Sequence, residues 1–235
     1  MKVVILAGGR GSRISEESKY RPKPMVKIGS KPIIWHIVKY YESFGLKEFI
    51  ICAGYKKKSI QDFFSKSSDL KCKINVVNTG LNTMTGGRIK RIKKYLKKDS
   101  DFFLTYGDGL SNIDINKTYK LHKKKKKIVT ISAVKTNSKF GIIKFSKKRK
   151  NEIESFKEKP SDFFISGGFF VVSTKVFKFI KNDKSIFEFD CLPNLSKNKE
   201  IAGYYHSGFW HCLDTMRDKE DLNILWKKNP LWKKW

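Results

Sequence analysis

The sequence predicts an α/β fold: a mostly parallel mixed sheet flanked by helices, with a β-rich second half. Three observations predict it. Over the first 110 residues, apolar strand-like runs alternate with helical stretches. That β-α-β order demands right-handed crossovers and parallel pairing. Beyond residue 110 the apolar runs are closely spaced, which suits hairpins joined to the same sheet.

Taken in order, Lys2–Ala7 reads as a buried strand, and Pro32–Phe44 as a helix with Pro32 in its first turn. Phe49–Ala53 is the next strand, Ser59–Phe64 the next helix and Lys73–Val77 the third strand. Gly86–Leu96 carries Ile89, Ile92, Tyr95 and Leu96 at helical spacing, and Phe102–Tyr106 is a fourth strand. Strand-like runs follow at Ile128–Val134, Gly141–Phe145, Glu152–Lys157 and Phe169–Val172. Helices return at Lys175–Ile180 and Lys219–Trp226. With no internal repeat and no linker, residues 1–235 read as one domain. The tryptophans at 226, 232 and 235 suit packing either on this chain or on a neighbouring subunit.

Composition narrows the function. A chain that is 40% hydrophobic is not globally disordered. No apolar stretch approaches a membrane span, and no charged leader precedes an apolar core. The expectation is a cytoplasmic protein with no membrane partner. Cys52, Cys72, Cys191 and Cys212 are scattered and, with the four histidines, show no zinc spacing, so they read as buried thiols. The net charge of +29 raises a nucleic-acid partner, but only seven of the 51 basic residues are arginines. Nucleic-acid readers lean on arginine for bidentate contacts, so the lysines read as solvated surface that attracts anionic nucleotides. No nucleic-acid partner is expected.

The chemistry concentrates at strand ends. The first strand empties into Gly8-Gly9-Arg10-Gly11-Ser12-Arg13, a turn that exposes backbone N–H groups to an anion. Its spacing is neither GxGxxG nor the Walker pattern. Lys23 stands between Pro22 and Pro24, which restrict its backbone and suit it to meet a phosphate oxygen. Asp108, between Gly107 and Gly109, offers an accessible carboxylate, and magnesium takes one or two carboxylates plus phosphate oxygens. Asp214 is its natural partner, although its local sequence also fits a helix N-cap. Glu158-Lys159 offers an acceptor for sugar hydroxyls and a cation for a phosphate, and Ser166-Gly167-Gly168 a close-approach backbone. The loop from Asn78 to Arg88 opens a helix and can meet a base or an anion.

Together these segments resemble the sugar-nucleotide pyrophosphorylases, a nucleotidyltransferase family. LAGGRGSR with RPKPM looks like its nucleotide signature, and YGDG, FKEKP and SGGFFV recur in matching order. TMTGGR and the tail GFWHCLDTMRDKEDLNILW resemble most the glucose-1-phosphate cytidylyltransferase branch. The chain departs from that branch in being shorter between Phe64 and Lys73.

The resemblance implies a Rossmann-like fold of the nucleotide-diphospho-sugar transferase type. Residues 1–110 would form the nucleotide-binding half and 111–235 the sugar-phosphate half. It implies CTP and glucose 1-phosphate as substrates, Mg²⁺ as cofactor, a homo-oligomer, and a role in surface-polysaccharide biosynthesis. Leu6, Ala7, Gly8, Gly9, Arg10, Gly11, Ser12 and Arg13 would wrap the nucleotide, with Lys23, Thr83, Arg88 and Gly107. Arg13, Lys23 and Asp108 would be catalytic, and Asp108 and Asp214 would hold the metal. Glu158, Lys159 and Gly168 would meet the sugar phosphate. A sister enzyme using UTP, dTTP or GTP is the near alternative, and a non-catalytic nucleotide sensor or nucleic-acid binder the distant one.

Overall fold

The computed structural model describes residues 1–11, 14, 17, 19–136, 141–147, 149–158 and 163–235. Its strands are β1 (Val3–Ala7), β2 (Lys27–Ile28), β3 (Lys31–Pro32), β4 (Glu48–Ala53), β5 (Lys73–Asn78), β6 (Asp101–Tyr106), β7 (Gly109–Ser111), β8 (Val129–Thr136), β9 (Ile142–Phe145), β10 (Ile153–Lys157), β11 (Phe163–Ser173), β12 (Ile201–His206) and β13 (Trp210–Cys212). The α-helices are α1 (Ile33–Glu42), α2 (Lys57–Ser65), α3 (Thr85–Arg91), α4 (Ile115–Lys125), α5 (Leu192–Lys197) and α6 (Met216–Lys228). Seven strands form one sheet in the order β12-β8-β11-β6-β1-β4-β5. Only β11 runs against its neighbours, pairing antiparallel with β6 and β8. The mostly parallel mixed sheet is therefore as expected.

The centre of the sheet shows why the apolar runs were continuous. Both faces of a covered parallel strand are buried, so alternate residues feed different cores. Val3, Ile5 and Ala7 join one apolar cluster, while Val4 and Leu6 join the other. Phe49 and Ile51 face the first cluster, and Ile50 and Cys52 the second.

Several helix predictions needed correction. The segment expected to be helical from Gly86 to Leu96 breaks at Ile92: α3 ends at Arg91 and a 3₁₀ turn takes Lys93–Leu96. The predicted helix near Lys175 is a 3₁₀ turn over Thr174–Phe179. Helix α4 was not predicted, because its lysine-rich surface obscures a buried face of Ile115, Thr118 and His122. Asp114 caps it, accepting the Lys117 N–H at 2.9 Å.

The tryptophan tail packs on its own chain. Trp232 is fully buried, stacked on Phe209 and Trp226 with ring centroids 5.6 and 6.1 Å away. Its indole N–H points at His36 Nδ1 at 3.4 Å. An indole nitrogen only donates, so Nδ1 accepts and the proton sits on Nε2, which faces the Ile28 carbonyl at 2.9 Å. His36, on α1, is thus held neutral against Trp226 of α6 and Trp232. Burial, opposed by the bond to Ile28, lowers its pKa to about 4.

A histidine depressed in the folded state contributes stability above its unfolded pKa of about 6.5. That contribution is lost as the pH falls through the window from 6.5 to about 4. The limit is roughly 3 kcal/mol, from about 1.4 kcal/mol per pKa unit. Urea unfolding at a series of pH values is expected to show this loss, with a flatter profile in His36→Gln. Equal profiles in the two proteins would refute the assignment.

Candidate active site

Strand topology brings the two ends of the sequence argument together. Strands β1 and β6 are parallel neighbours with Leu6 opposite Tyr106, so the glycine turn and Asp108 leave the same edge of the sheet. The Gly107 N–H donates to the Leu6 carbonyl at 3.0 Å. A Cβ on Gly107 would lie 3.0 Å from Pro24 Cγ, so a bare backbone lets the Lys23 segment approach. Asp214 arrives through a small ribbon in which β13 pairs antiparallel with β7 and Cys212 lies opposite Gly109. The Leu213 N–H donates to the Asp108 carbonyl at 2.9 Å, tying the two acids' backbones together.

Between these acids stands Lys23. Its ammonium donates to Asp108 Oδ2 at 2.6 Å and to Asp214 Oδ1 at 2.7 Å. Burial lowers the lysine pKa, but the charge of Asp108 and the bonds to both carboxylates outweigh it, and the net shift is upward. Asp214 is not the cap of α6. Thr215 takes that place in a capping box with Asp218, which leaves the Asp214 carboxylate for Lys23.

Two cavities adjoin at this cluster. The first, about 360 Å³, is lined by Leu6 and Ala7 of β1, by Gly8, Gly9 and Gly11 of the turn, by Lys23, Thr83 and Arg88, and by Gly107, Asp108 and Asp214. The second, about 270 Å³, is bounded by Gly168, Trp210 and Cys212. Tyr106, Asp108 and Asp214 line both. Gly168 has φ +75°, and a Cβ there would sit 2.6 Å from Tyr106 Cδ2, so the shared wall needs glycine.

Not every expected residue reaches the site. Arg10 is exposed and lines neither cavity. Glu158 is exposed beside Gly141, also outside both cavities. Ser12, Arg13 and Lys159 lie outside the described residues. Other site residues had no strong local signal. Tyr106 donates its hydroxyl proton to Glu188, which also accepts from Thr85 Oγ1 at 2.6 Å. Glu188 lies 82 residues along in a π-helical turn (Phe187–Cys191), a type of irregularity common at functional sites. Cys212 is the third member of a donor group with Asp108 and Asp214 whose ligand atoms all lie within 4.8 Å of one another. Its thiol pKa is pushed up by burial and by both carboxylates. Two carboxylates at one mouth suit a divalent cation.

Arg88 lines the first cavity, but its guanidinium is occupied with the protein itself. It donates to Thr79 Oγ1 and the Gly80 carbonyl at 2.7 Å each, and to the Gly8 carbonyl at 3.0 Å. Arg88 therefore clamps the glycine turn to the loop that opens α3. Arg88→Ala leaves buried acceptors without donors, at about 1–3 kcal/mol for each unsatisfied group. The expected result is a lower melting temperature together with weaker nucleotide binding, read by calorimetry and titration. Unchanged binding in a folded variant would contradict the clamp.

Residues 2–220 match the family described as nucleotidyl transferase. The chain is 41% identical to glucose-1-phosphate cytidylyltransferase of Salmonella typhimurium over 259 aligned positions, covering the whole of both. It is 38% identical to a probable glucose-1-phosphate cytidylyltransferase of Bacillus subtilis, again over both full lengths. An alignment of 259 positions against 235 residues means that the Salmonella protein carries about 24 residues this chain lacks. Among solved structures, HddC from Yersinia pseudotuberculosis complexed with GMP-PN superposes with TM-score 0.76 at 26% identity, covering 96% of this chain and 99% of that one. A UDP-glucose pyrophosphorylase complexed with UDP-glucose shares the fold at TM-score 0.75 and 20% identity, covering 97% of this chain and 98% of that one.

Proposed function

The chain belongs to the nucleotidyl transferase family, and from that premise we propose that it is a glucose-1-phosphate cytidylyltransferase. It transfers a cytidylyl group from CTP to α-D-glucose 1-phosphate, giving CDP-glucose and pyrophosphate. The observation that carries this reading is a pair of adjoining cavities sharing Tyr106, Asp108 and Asp214, in a chain about 40% identical to such enzymes over its full length.

A phosphate oxygen of the sugar phosphate attacks the α-phosphorus of CTP in line, and the bond to the β-phosphate oxygen breaks. The attacking oxygen is already ionised, so no protein base or nucleophile is required. The protein's task is to hold two anions together and neutralise them. In this reading the glycine turn, Ser12, Arg13, Thr83, Arg88 and Gly107 hold the nucleotide, and Lys23 and Arg13 neutralise its phosphates. Gly168, Glu158 and Lys159 serve the sugar phosphate, which requires the exposed Glu158 segment to come inward. Asp108 and Asp214 would hold Mg²⁺, which supplies positive charge to the phosphates when bound. Residues 1–110 form the nucleotide half and 111–235 the sugar-phosphate half. CDP-glucose made in the cytoplasm would serve surface-polysaccharide synthesis. No helix among the described residues is long and apolar enough to cross a membrane.

Pyrophosphate release from glucose 1-phosphate with CTP, UTP, dTTP and GTP in turn tests the reading. CTP is expected to react fastest, and preference for another base would reassign the chain to a sister enzyme.

The proposal includes a homo-oligomer. Strands β9 and β10 form an isolated ribbon in which Phe145 lies opposite Ile153 and Ile143 opposite Phe156. All four side chains share one face and are 48–61% exposed. Two-stranded ribbons are marginal without packing. A second copy offers the same uncharged face, as a two-fold contact requires. Light scattering is expected to find an assembly that Phe145→Ser with Phe156→Ser dissociates. A monomeric native chain would refute it.

A further inference from the structure

Cys212 has no part in the reaction described above, yet its sulfur shares the mouth of the site with Asp108 and Asp214. The ribbon geometry fixes it there: Cys212 lies opposite Gly109, next to Asp108 and two residues before Asp214. All three side chains are partly buried, and their ligand atoms lie within 4.8 Å of one another. Magnesium takes hard oxygen donors and gains nothing from sulfur. Zinc and its congeners favour thiolate, and two carboxylates with one thiolate give three ligands, leaving a fourth position open. The Lys23 ammonium, hydrogen-bonded to both acids, must move aside when any divalent cation enters.

We propose that Cys212 gives this metal site a second character: a thiophilic divalent cation binds Asp108, Cys212 and Asp214 together and excludes the hard cation that the reaction uses. The inference rests on the reading of Asp108 and Asp214 as metal ligands. On binding, the thiol proton passes to solvent and the sulfur lone pair enters the metal's coordination shell. Zinc ion is then an inhibitor competing with magnesium, and the exchange makes the enzyme sensitive to zinc.

Cadmium ion is the direct probe, because a cadmium–thiolate bond gives a charge-transfer absorption that carboxylates alone do not. Titration of the full chain with Cd²⁺ is expected to saturate that band at one equivalent, and Mg²⁺ to produce none. Cys212→Ser, nearly isosteric, should lose the band and bind Cd²⁺ more weakly by on the order of tenfold or more in calorimetry. Asp214→Asn should weaken binding while the band remains attainable at excess metal. In a pyrophosphate-release assay at fixed Mg²⁺, Zn²⁺ should inhibit the native chain at concentrations that spare Cys212→Ser, each relative to its own rate without zinc. Absence of the band, or its persistence in Cys212→Ser through another cysteine, would overturn the proposal, as would equal zinc sensitivity. Cys212→Ala replaces the serine variant if the latter fails to fold. The absorption needs no turnover, so it stands or falls apart from the cytidylyl reading.

Discussion

Lys23→Ala is expected to lower turnover by on the order of a hundredfold or more, the loss typical of removing one preorganised charge-stabilising donor. Three features make this lysine different from the many others. Pro22 and Pro24 set its backbone, with Pro22 at φ −66° and Pro24 buried. Its ammonium is held by Asp108 and Asp214, so its position is fixed before any substrate arrives. It also stands in the lining of the first cavity, where the nucleotide's phosphates would lie. The ammonium leaves the carboxylates when a divalent cation enters, but its proline-restrained backbone stays ordered beside the cavity, whereas an exposed lysine would first have to be ordered. Single-turnover pyrophosphate release measures the effect, with circular dichroism to confirm folding. Lys23→Arg keeps the charge but not the point geometry, and should recover only part of the rate. Turnover within a few-fold of native in Lys23→Ala would end the role assigned here.

Trp232→Ala should destabilise the chain by about 3–5 kcal/mol, the range for truncating a buried aromatic to alanine. Only Lys233, Lys234 and Trp235 follow it in the sequence. It is nevertheless fully buried, stacked between Phe209 and Trp226 and bonded to His36. Truncation opens a cavity and removes the hydrogen bond that fixes the His36 tautomer. For a chain of this size the melting temperature should fall by roughly 10 °C. Trp232→Phe keeps a ring and should lose less. A loss below about 1 kcal/mol would mean that the tail does not seal α6 to α1.

The site was legible wherever its residues end parallel strands. Asp108 and the glycine turn could be paired from sequence because adjacent parallel strands end at the same edge, and Leu6 does lie opposite Tyr106. Asp214 was ambiguous locally, since an acid before a helix fits a cap. The contest was decided by Thr215, one residue later, which forms the capping box. Glu158 was chosen for its charge beside a lysine after a strand, but it sits exposed beyond both cavities. Arg88 was found, though not its partners: three acceptors come from chain segments that only the fold assembles. Cys212 was read as a buried thiol, because one cysteine carries no spacing signal.

By itself the sequence determined the α/β class and the positions of most sheet strands along the chain, and it singled out Lys23, Asp108 and the glycine turn. These are local properties: apolar periodicity, turn residues and proline restraint are written within a few residues. The tertiary structure decided which charges touch. It set Lys23 between Asp108 and Asp214, 85 and 191 residues away, and brought Cys212 into the same group. It also turned the tryptophan tail inward onto His36. The reason is that electrostatic pairing falls with distance in space and is blind to distance along the chain. The partner of a buried charge is therefore fixed by strand order and register, not by the neighbouring sequence.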